Sequence, residues 1–268
     1  PHPSSLIPHP SSLIPQKMPF DSYNPEEFYD ELFTEIGKPR SHSISLIEHM
    51  TNLGIEQLIQ QRSTAEIALF KLGATFNVYN DSHCVDKIFP FDIIPRIISA
   101  KEWTNLEQGL KQRIRALNLF LDDIYGEQKI IKDGKIPQEI VYTASGFLKP
   151  CLLSKPPKNI WCHITGTELV RDKEGEWYVL EDNLRSPSGV SFVLENRRVM
   201  KTTFPEIFQT MAVAPVDDYP SQLLETLLHL APSQLPNPNV VVLTPGIYNS
   251  AYFEHSFFNS THCAFLFL

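Results

Sequence analysis

One stretch limits the possible folds more than any other. Residues 166–189 read Gly-Thr-Glu-Leu-Val-Arg-Asp-Lys-Glu-Gly-Glu-Trp-Tyr-Val-Leu-Glu-Asp-Asn-Leu-Arg-Ser-Pro-Ser-Gly. Asp172-Lys-Glu-Gly175 separates two strand-like runs, so the spacing predicts an antiparallel hairpin. Side chains alternate along a strand, which puts Trp177, Val179, Glu181 and Asn183 on one face. A four-residue loop pairs Arg171 with Glu176 and sets Glu168 opposite Val179; a two-residue loop sets it opposite Glu181. Either even length keeps Glu168 on the face of Glu181 and Asn183, and an odd length turns it away. Two carboxylates and one amide oxygen then converge on a patch otherwise made of Trp177, Val179 and Val170. Close carboxylates repel unless something positive lies between them. An oxygen-only set of this kind suits Mg²⁺ or Mn²⁺ held together with substrate phosphates.

The residues that follow fit the same chemistry. Arg185 comes just after the strand, where its planar guanidinium can meet a phosphoryl oxygen. Ser188 and Gly189 lead directly into a helix predicted from Val190, and helix N-termini suit phosphate. The plainer alternative is an exposed hairpin end followed by ordinary turn residues.

Composition sets the background for this segment. The chain has 268 residues, 42% hydrophobic and 20% charged, which is ordinary for a folded protein with a real core. A net charge of −8 argues against nucleic acid as partner. No apolar run is long enough to span a bilayer and no start resembles a secretion signal, so a cytoplasmic protein is expected. Cys84, Cys151, Cys162 and Cys263 show neither a C-x-x-C pair nor zinc spacing and read as reduced thiols. There is no G-x-S-x-G, no H-E-x-x-H and no P-loop lysine motif.

Along the chain, residues 1–14 read PHPSSLI twice, and residues 1–18 are expected to form a disordered tail. Residues 26–70 read as mainly helical, with Phe28, Leu32 and Phe33 at helical spacing. Thr75–Tyr79 alternates like a strand, and Phe89–Pro95 reads as extended. Asn105–Tyr125 is the clearest helix, capped by Thr104 with Glu107 completing a capping box and Gly126 stopping it. Lys111, Arg115, Asn118 and Asp122 form a polar line on it, most simply a solvated face. Short strands are expected at Glu139–Tyr142 and Ile160–Ile164, where His163 reads as a satisfied structural histidine. Helices follow at Val190–Met200 and Leu223–Leu230, then a linker at Pro232–Pro238 and a strand at Val240–Leu243. Thr244-Pro-Gly246 turns that strand into a further helix, a βα unit that reads as unfinished. The expected organisation is a tail over 1–18, a metal-binding region with a helical N-terminal part over 19–230, and a linker with the start of a truncated βα domain over 231–268.

Several segments resemble a known family. They are Phe89–Arg96, Gln112–Asn118, Trp161–Gly166, Val179–Arg185, Pro187–Ser191, Val193–Arg198 and Leu243–His255. Together they look like the circularly permuted type 2 ATP-grasp proteins, relatives of glutathionylspermidine synthase-like ligases. The resemblance implies a mixed α+β and α/β fold of ATP-grasp type, permuted and here partial. Similarity is expected to end near Phe258, ahead of the family's later ATP-holding lysine segment. By position, Glu168, Glu181 and Asn183 match the Mg²⁺ ligands, with Glu168 standing where the family usually has Asp. Arg185 matches a residue near the transferred phosphate, and the helix start led by Ser188 and Gly189 would add backbone N–H groups. The implied activity is ATP-dependent carboxylate–amine ligation through an acyl phosphate, with ATP and a small acid, amine or peptide as partners. The alternatives are a binding or scaffold protein without turnover, or an inactive gene fragment.

Overall fold

The computed structural model describes residues 19–80, 83–88, 91–232, 234–261 and 265–267. The expected tail over 1–18 lies outside them. In chain order the elements begin with β1 Phe33–Glu35, β2 Lys38–Pro39, α1 Ile44–Lys71, β3 Thr75–Asn80, β4 His83–Ile88 and α2 Ala100–Tyr125. Next come α3 Lys129–Lys132, α4 Gln138–Tyr142, β5 Gly166–Arg171, β6 Trp177–Asn183, α5 Val190–Thr203 and α6 Pro205–Thr210. The last are α7 Tyr219–Leu230, β7 Val241–Leu243, α8 Tyr252–Ser260 and β8 Phe265–Phe267. Among the described residues every sheet has two strands, three antiparallel pairs and one parallel pair. No described helix is long and apolar enough to cross a membrane.

The chain divides into two compact units, residues 1–97 with 193–214, and residues 98–192 with 215–268. In the first, α1 buries Leu46, Met50, Leu58, Ala65 and Leu69, largely on a four-residue spacing that lines one helix face. Gly54 lies on that row with φ 78° and ψ 165°, outside the helical region, and kinks α1. Phe204, Val199, Met200 and Ile207 complete this core. The helix expected from residue 26 starts only at Ile44. The Asp30 carboxylate accepts the N–H groups of Leu32 and Phe33 at 2.8 and 2.7 Å, a turn that competes with helix and delivers Phe33 into β1. Arg96 forks onto Glu31 at 2.9 and 2.5 Å.

The second unit is organised by α2. It starts at Ala100, five residues before the expected Asn105, and its cap is Ser99 with Glu102 rather than Thr104 with Glu107. Both pairs match the capping-box pattern, and the earlier one wins because the intervening residues are all helix-compatible and add a full turn. The far end of α2 buries Ile124 and Tyr125. The Tyr125 ring stacks on Phe147 and Trp161 with centroids 5.3 and 4.8 Å away. Two expected strands are absent. Gln138–Tyr142 is a single helical turn, α4, whose Val141 is buried. Residues 160–164 form no strand because the N–H groups of Trp161 and Cys162 go to Asn118 Oδ1, at 2.8 and 2.9 Å. The polar line on α2 is therefore partly structural. Asn118 pins that segment, and Asp122 accepts from Trp161 Nε1 at 3.1 Å. His163 Nε2 is buried without a hydrogen-bond partner, contrary to the satisfied histidine expected.

At the C-terminal end, β8 pairs parallel with β7, Val241 to Phe265 and Leu243 to Phe267. With α8 between them this is a βαβ arrangement, not the lone strand and helix expected.

Candidate metal and phosphate site

The hairpin β5–β6 reaches the expected convergence by an unexpected route. Arg171 pairs with Trp177, so the connection spans five residues, an odd number. Continued regularly, that ladder would set Glu168 opposite Leu180 and leave Glu181 on the reverse face. A bulge shifts the register between Glu168 and Leu169, and Glu168 lies opposite Glu181. The extra residue in β6 also corrects the neighbours expected for the carboxylates. Trp177 and Val179 go to the reverse face with Leu169, Thr167 and Asp182, whereas Glu168, Glu181 and Asn183 share an exposed face with Val170, Tyr178 and Leu180.

On the exposed face the three side chains meet. Asn183 Nδ2 donates to Glu181 Oε1 at 3.1 Å and lies 3.4 Å from Glu168 Oε1. Among the described residues no Lys, Arg or His forms an ion pair with either carboxylate. Like charges directly across an antiparallel pair are destabilising, and here only a neutral amide stands between them. The amide's N and O are interchangeable by a half-turn, so the same three side chains can present three oxygens to one point. That donor set fits a hard divalent cation. Among the described residues no group of three or more His, Cys, Asp and Glu side chains could hold a metal, and the set here joins two carboxylates to an amide.

The reverse face holds the hairpin in place. Asp182, between Glu181 and Asn183, accepts from Arg113 of α2 at 2.8 and 3.1 Å through Nε and from Thr167 at 3.0 Å. The Arg113 guanidinium, helped by Thr167, holds the Asp182 carboxyl below its ordinary range although burial opposes this. Arg171, its side chain 5% exposed, lies 4.0 Å over the Trp177 ring and pairs with Glu102 at 2.6 Å. Burial pushes the Glu102 carboxyl up, but the Ser99 amide, the Ser99 hydroxyl and Arg171 outweigh it and hold it low.

A depressed carboxyl stabilises the fold above its unfolded-state value and loses that contribution as pH falls through the lower folded-state value. Glu102→Gln is expected to remove about 1–3 kcal/mol near neutrality and to flatten the acid side of the stability profile. Thermal melts from neutral pH down through the carboxylate range check both.

Beyond β6 the chain folds back on the hairpin end. A Cβ on Gly166 would come within 2.9 Å of the Pro187 side chain and 3.7 Å of Asn183 Cβ, so a bare backbone at 166 permits the approach. Arg185 and Ser188 are exposed, and among the described residues neither side chain makes a hydrogen bond or ion pair. Gly189 adopts φ +102°, a conformation side-chain-bearing residues rarely take. Its N–H is already engaged. The Glu254 carboxylate of α8 accepts from Gly189 N at 3.0 and 2.9 Å and from Ser191 N and Oγ at 2.9 Å each. The anion at the α5 start is thus the chain's own, where the sequence pointed to phosphate. Glu254 and Ser191 are both buried. Neighbouring His255 Nδ1 lies 2.8 Å from the Thr244 hydroxyl. No local pattern in the sequence pairs Glu254 with Ser191, because 63 residues separate them.

Comparison with known proteins places this architecture. The family model described as circularly permuted ATP-grasp type 2 matches residues 95–266, past the point near Phe258 where similarity was expected to stop. An uncharacterised protein of Synechocystis sp. is 65% identical over 240 residues, 90% of this chain and 50% of the relative. An uncharacterised protein of Mycobacterium tuberculosis is 43% identical over 241 residues, 88% of this chain and 43% of the relative. A Frankia casuarinae protein, provisionally named a glutamate–cysteine ligase, is 38% identical over 229 residues, 85% of this chain and 26% of the relative. The chain therefore spans about half or less of the curated relatives it matches. A single family model covers well over half of its residues, including the hairpin, the fold-back segment and the βαβ arrangement, and this chain belongs to the circularly permuted ATP-grasp type 2 family.

Proposed function

We propose that this chain carries the metal-binding and phosphoryl-binding side of an ATP-dependent carboxylate–amine ligase, of the wider class of glutathionylspermidine synthase-like enzymes. The single observation that carries the reading is the Asn183 amide set between the carboxylates of Glu168 and Glu181, which among the described residues pair with no cation. Family membership and the provisional ligase name of the Frankia relative support the reaction class.

In this reading Glu168, Glu181 and Asn183 hold Mg²⁺ or Mn²⁺, Asn183 through its amide oxygen. A divalent cation there supplies neutralisation of the charge on a transferring phosphoryl group. Arg185 meets the same phosphoryl oxygens with a planar, permanently charged fork. The Ser188 hydroxyl is a further donor at that segment. The Gly189 N–H, occupied by Glu254, is given no role toward phosphate. Arg113 and Arg171 act from the reverse face by fixing the plane of the hairpin, so the carboxylates meet the cation without reorganising. The substrates are a small carboxylic acid, or a peptide carboxylate, and an amine, and the products are an amide, ADP and phosphate.

The test, made on a relative whose chain extends beyond this one, is phosphate release from Mg-ATP with glutamate, cysteine and polyamines offered singly and in pairs. Release that needs an acid and an amine together is expected. Release independent of both, or absent for every pair while Mn²⁺ binding persists, contradicts the ligase reading.

A further inference from the structure

Arg185 stands on a segment that leaves the metal-bearing hairpin at Asn183 and is held at two later points. The first is Pro187, beside Gly166 of the same hairpin. The second is Glu254, from α8, 65 residues away from Gly189 in sequence. We propose that Glu254 is a positioning residue for the phosphoryl-binding segment, setting the place of Arg185 through the α5 start; this rests on the ligase reading above.

Residues 184–189 have no regular secondary structure, so no ladder fixes them. Gly189 adds a joint that other residues could not make at φ +102°. A segment left untethered at such a joint would give Arg185 and Ser188 more positions, and each lost position strengthens binding of a phosphoryl group without any new contact. Glu254 removes them. Its buried carboxylate takes three donors, the Gly189 and Ser191 amides and the Ser191 hydroxyl, on both sides of Val190. Hydrogen bonds to a charged acceptor are the stronger kind, and carboxylate at a helix N-terminus is favoured by the helix dipole. The carboxylate also keeps a free phosphate off these amides, leaving the more exposed Arg185 and Ser188 as the groups available to one. His255 bonds Thr244 at the turn before α8 and fixes the helix that delivers Glu254.

The test is a double-mutant cycle on this chain, read by calorimetric binding of Mn-ATP and, separately, of Mn²⁺ alone. Glu254→Gln keeps the shape but removes the charge and one acceptor oxygen. It is expected to weaken Mn-ATP binding about tenfold and to leave Mn²⁺ affinity within about twofold. Arg185→Ala is expected to weaken Mn-ATP about tenfold, and the double variant also about tenfold rather than a hundredfold, because Glu254 acts through Arg185. Amide exchange at Gly189 and Ser191 is expected to accelerate in Glu254→Gln whether or not nucleotide is present. Where that variant does not fold, Ser191→Ala removes one donor and is expected to show the same non-additivity, at about threefold. Unchanged Mn-ATP affinity in Glu254→Gln, or fully additive losses, overturns the positioning role. A wild-type chain that binds neither Mn²⁺ nor Mn-ATP overturns the site reading itself, and the positioning role with it.

Discussion

Glu181→Ala is expected to lower Mn²⁺ affinity about a hundredfold or more while leaving the metal-free protein slightly more stable than wild type. The two effects have opposite signs for one physical reason. Glu181 lies directly opposite Glu168, exposed, with no cation paired to either among the described residues. Like charges in that cross-strand position destabilise a sheet by roughly 0.2–1 kcal/mol, so removing one relieves the metal-free state. The same two charges are what a dication binds, and losing one of three ligands removes much of the attraction. A residue kept for stability would show the reverse, a lower melting temperature and no metal effect. Calorimetric titration with Mn²⁺, beside thermal melts without metal, separates the cases. Glu168→Ala is expected to behave alike, since Asn183 Nδ2 lies 3.4 Å from it and 3.1 Å from Glu181.

Asn118→Ala is expected to be the most destabilising single polar substitution in the α2 region, by about 2–4 kcal/mol. Its Oδ1 accepts two backbone N–H groups, Trp161 and Cys162, and its Nδ2 donates to Ile114 O at 3.1 Å. No strand replaces those partners, and Cys162 is buried, so both N–H groups would lose their acceptor where water reaches poorly. The segment also carries Trp161, stacked on Tyr125 at 4.8 Å. It leads directly into Gly166, the start of β5. The loss is therefore expected to reach the hairpin, with Mn²⁺ affinity falling several-fold beside the drop in melting temperature. Asn118→Asp keeps an acceptor for both N–H groups and is expected to lose less. Equal losses in both variants would mean that the amide's donor, and not its oxygen, holds the segment.

The convergence of residues 168, 181 and 183 was legible in the sequence, but the reason given for it was incomplete. Period-two alternation correctly marked Glu181 and Asn183 as sharing a face. It assumed an unbroken strand, and so assigned Trp177 and Val179 to that face too. The bulge after Val179 cannot be read from Val-Leu-Glu, where no glycine or proline marks it. Two departures from regularity, an odd connection and a bulge, cancel and restore the pairing. Helices with strong apolar periodicity were found at nearly their true positions, α2, α5 and α7 among them. Short elements were found unevenly: Thr75–Tyr79 and Val240–Leu243 are the strands β3 and β7 within a residue, and two others were misread. Glu139–Tyr142 is β-branched in the middle and reads as a strand, yet burial of Val141 and the bond from Tyr142 to Gln128 at 2.9 Å favour a helical turn. Partners distant in sequence were the least legible. Arg113 with Asp182, 69 residues apart, and Glu254 with Ser191 have no local pattern to announce them. The βαβ pairing of β7 with β8 was missed for the same cause, since a parallel partner sits across a helix.

In the proposed reading one divalent ion is shared by three oxygen-bearing side chains of β5 and β6. A crystal of this chain soaked in Mn²⁺, with data collected for anomalous scattering at the manganese edge, tests it most directly. The account expects one strong peak within about 2.5 Å of an oxygen from each of Glu168, Glu181 and Asn183, with the Asn183 amide turned to present Oδ1. A strong peak elsewhere with none at this hairpin, or a hairpin unchanged with the Asn183 nitrogen still between the carboxylates, would contradict it.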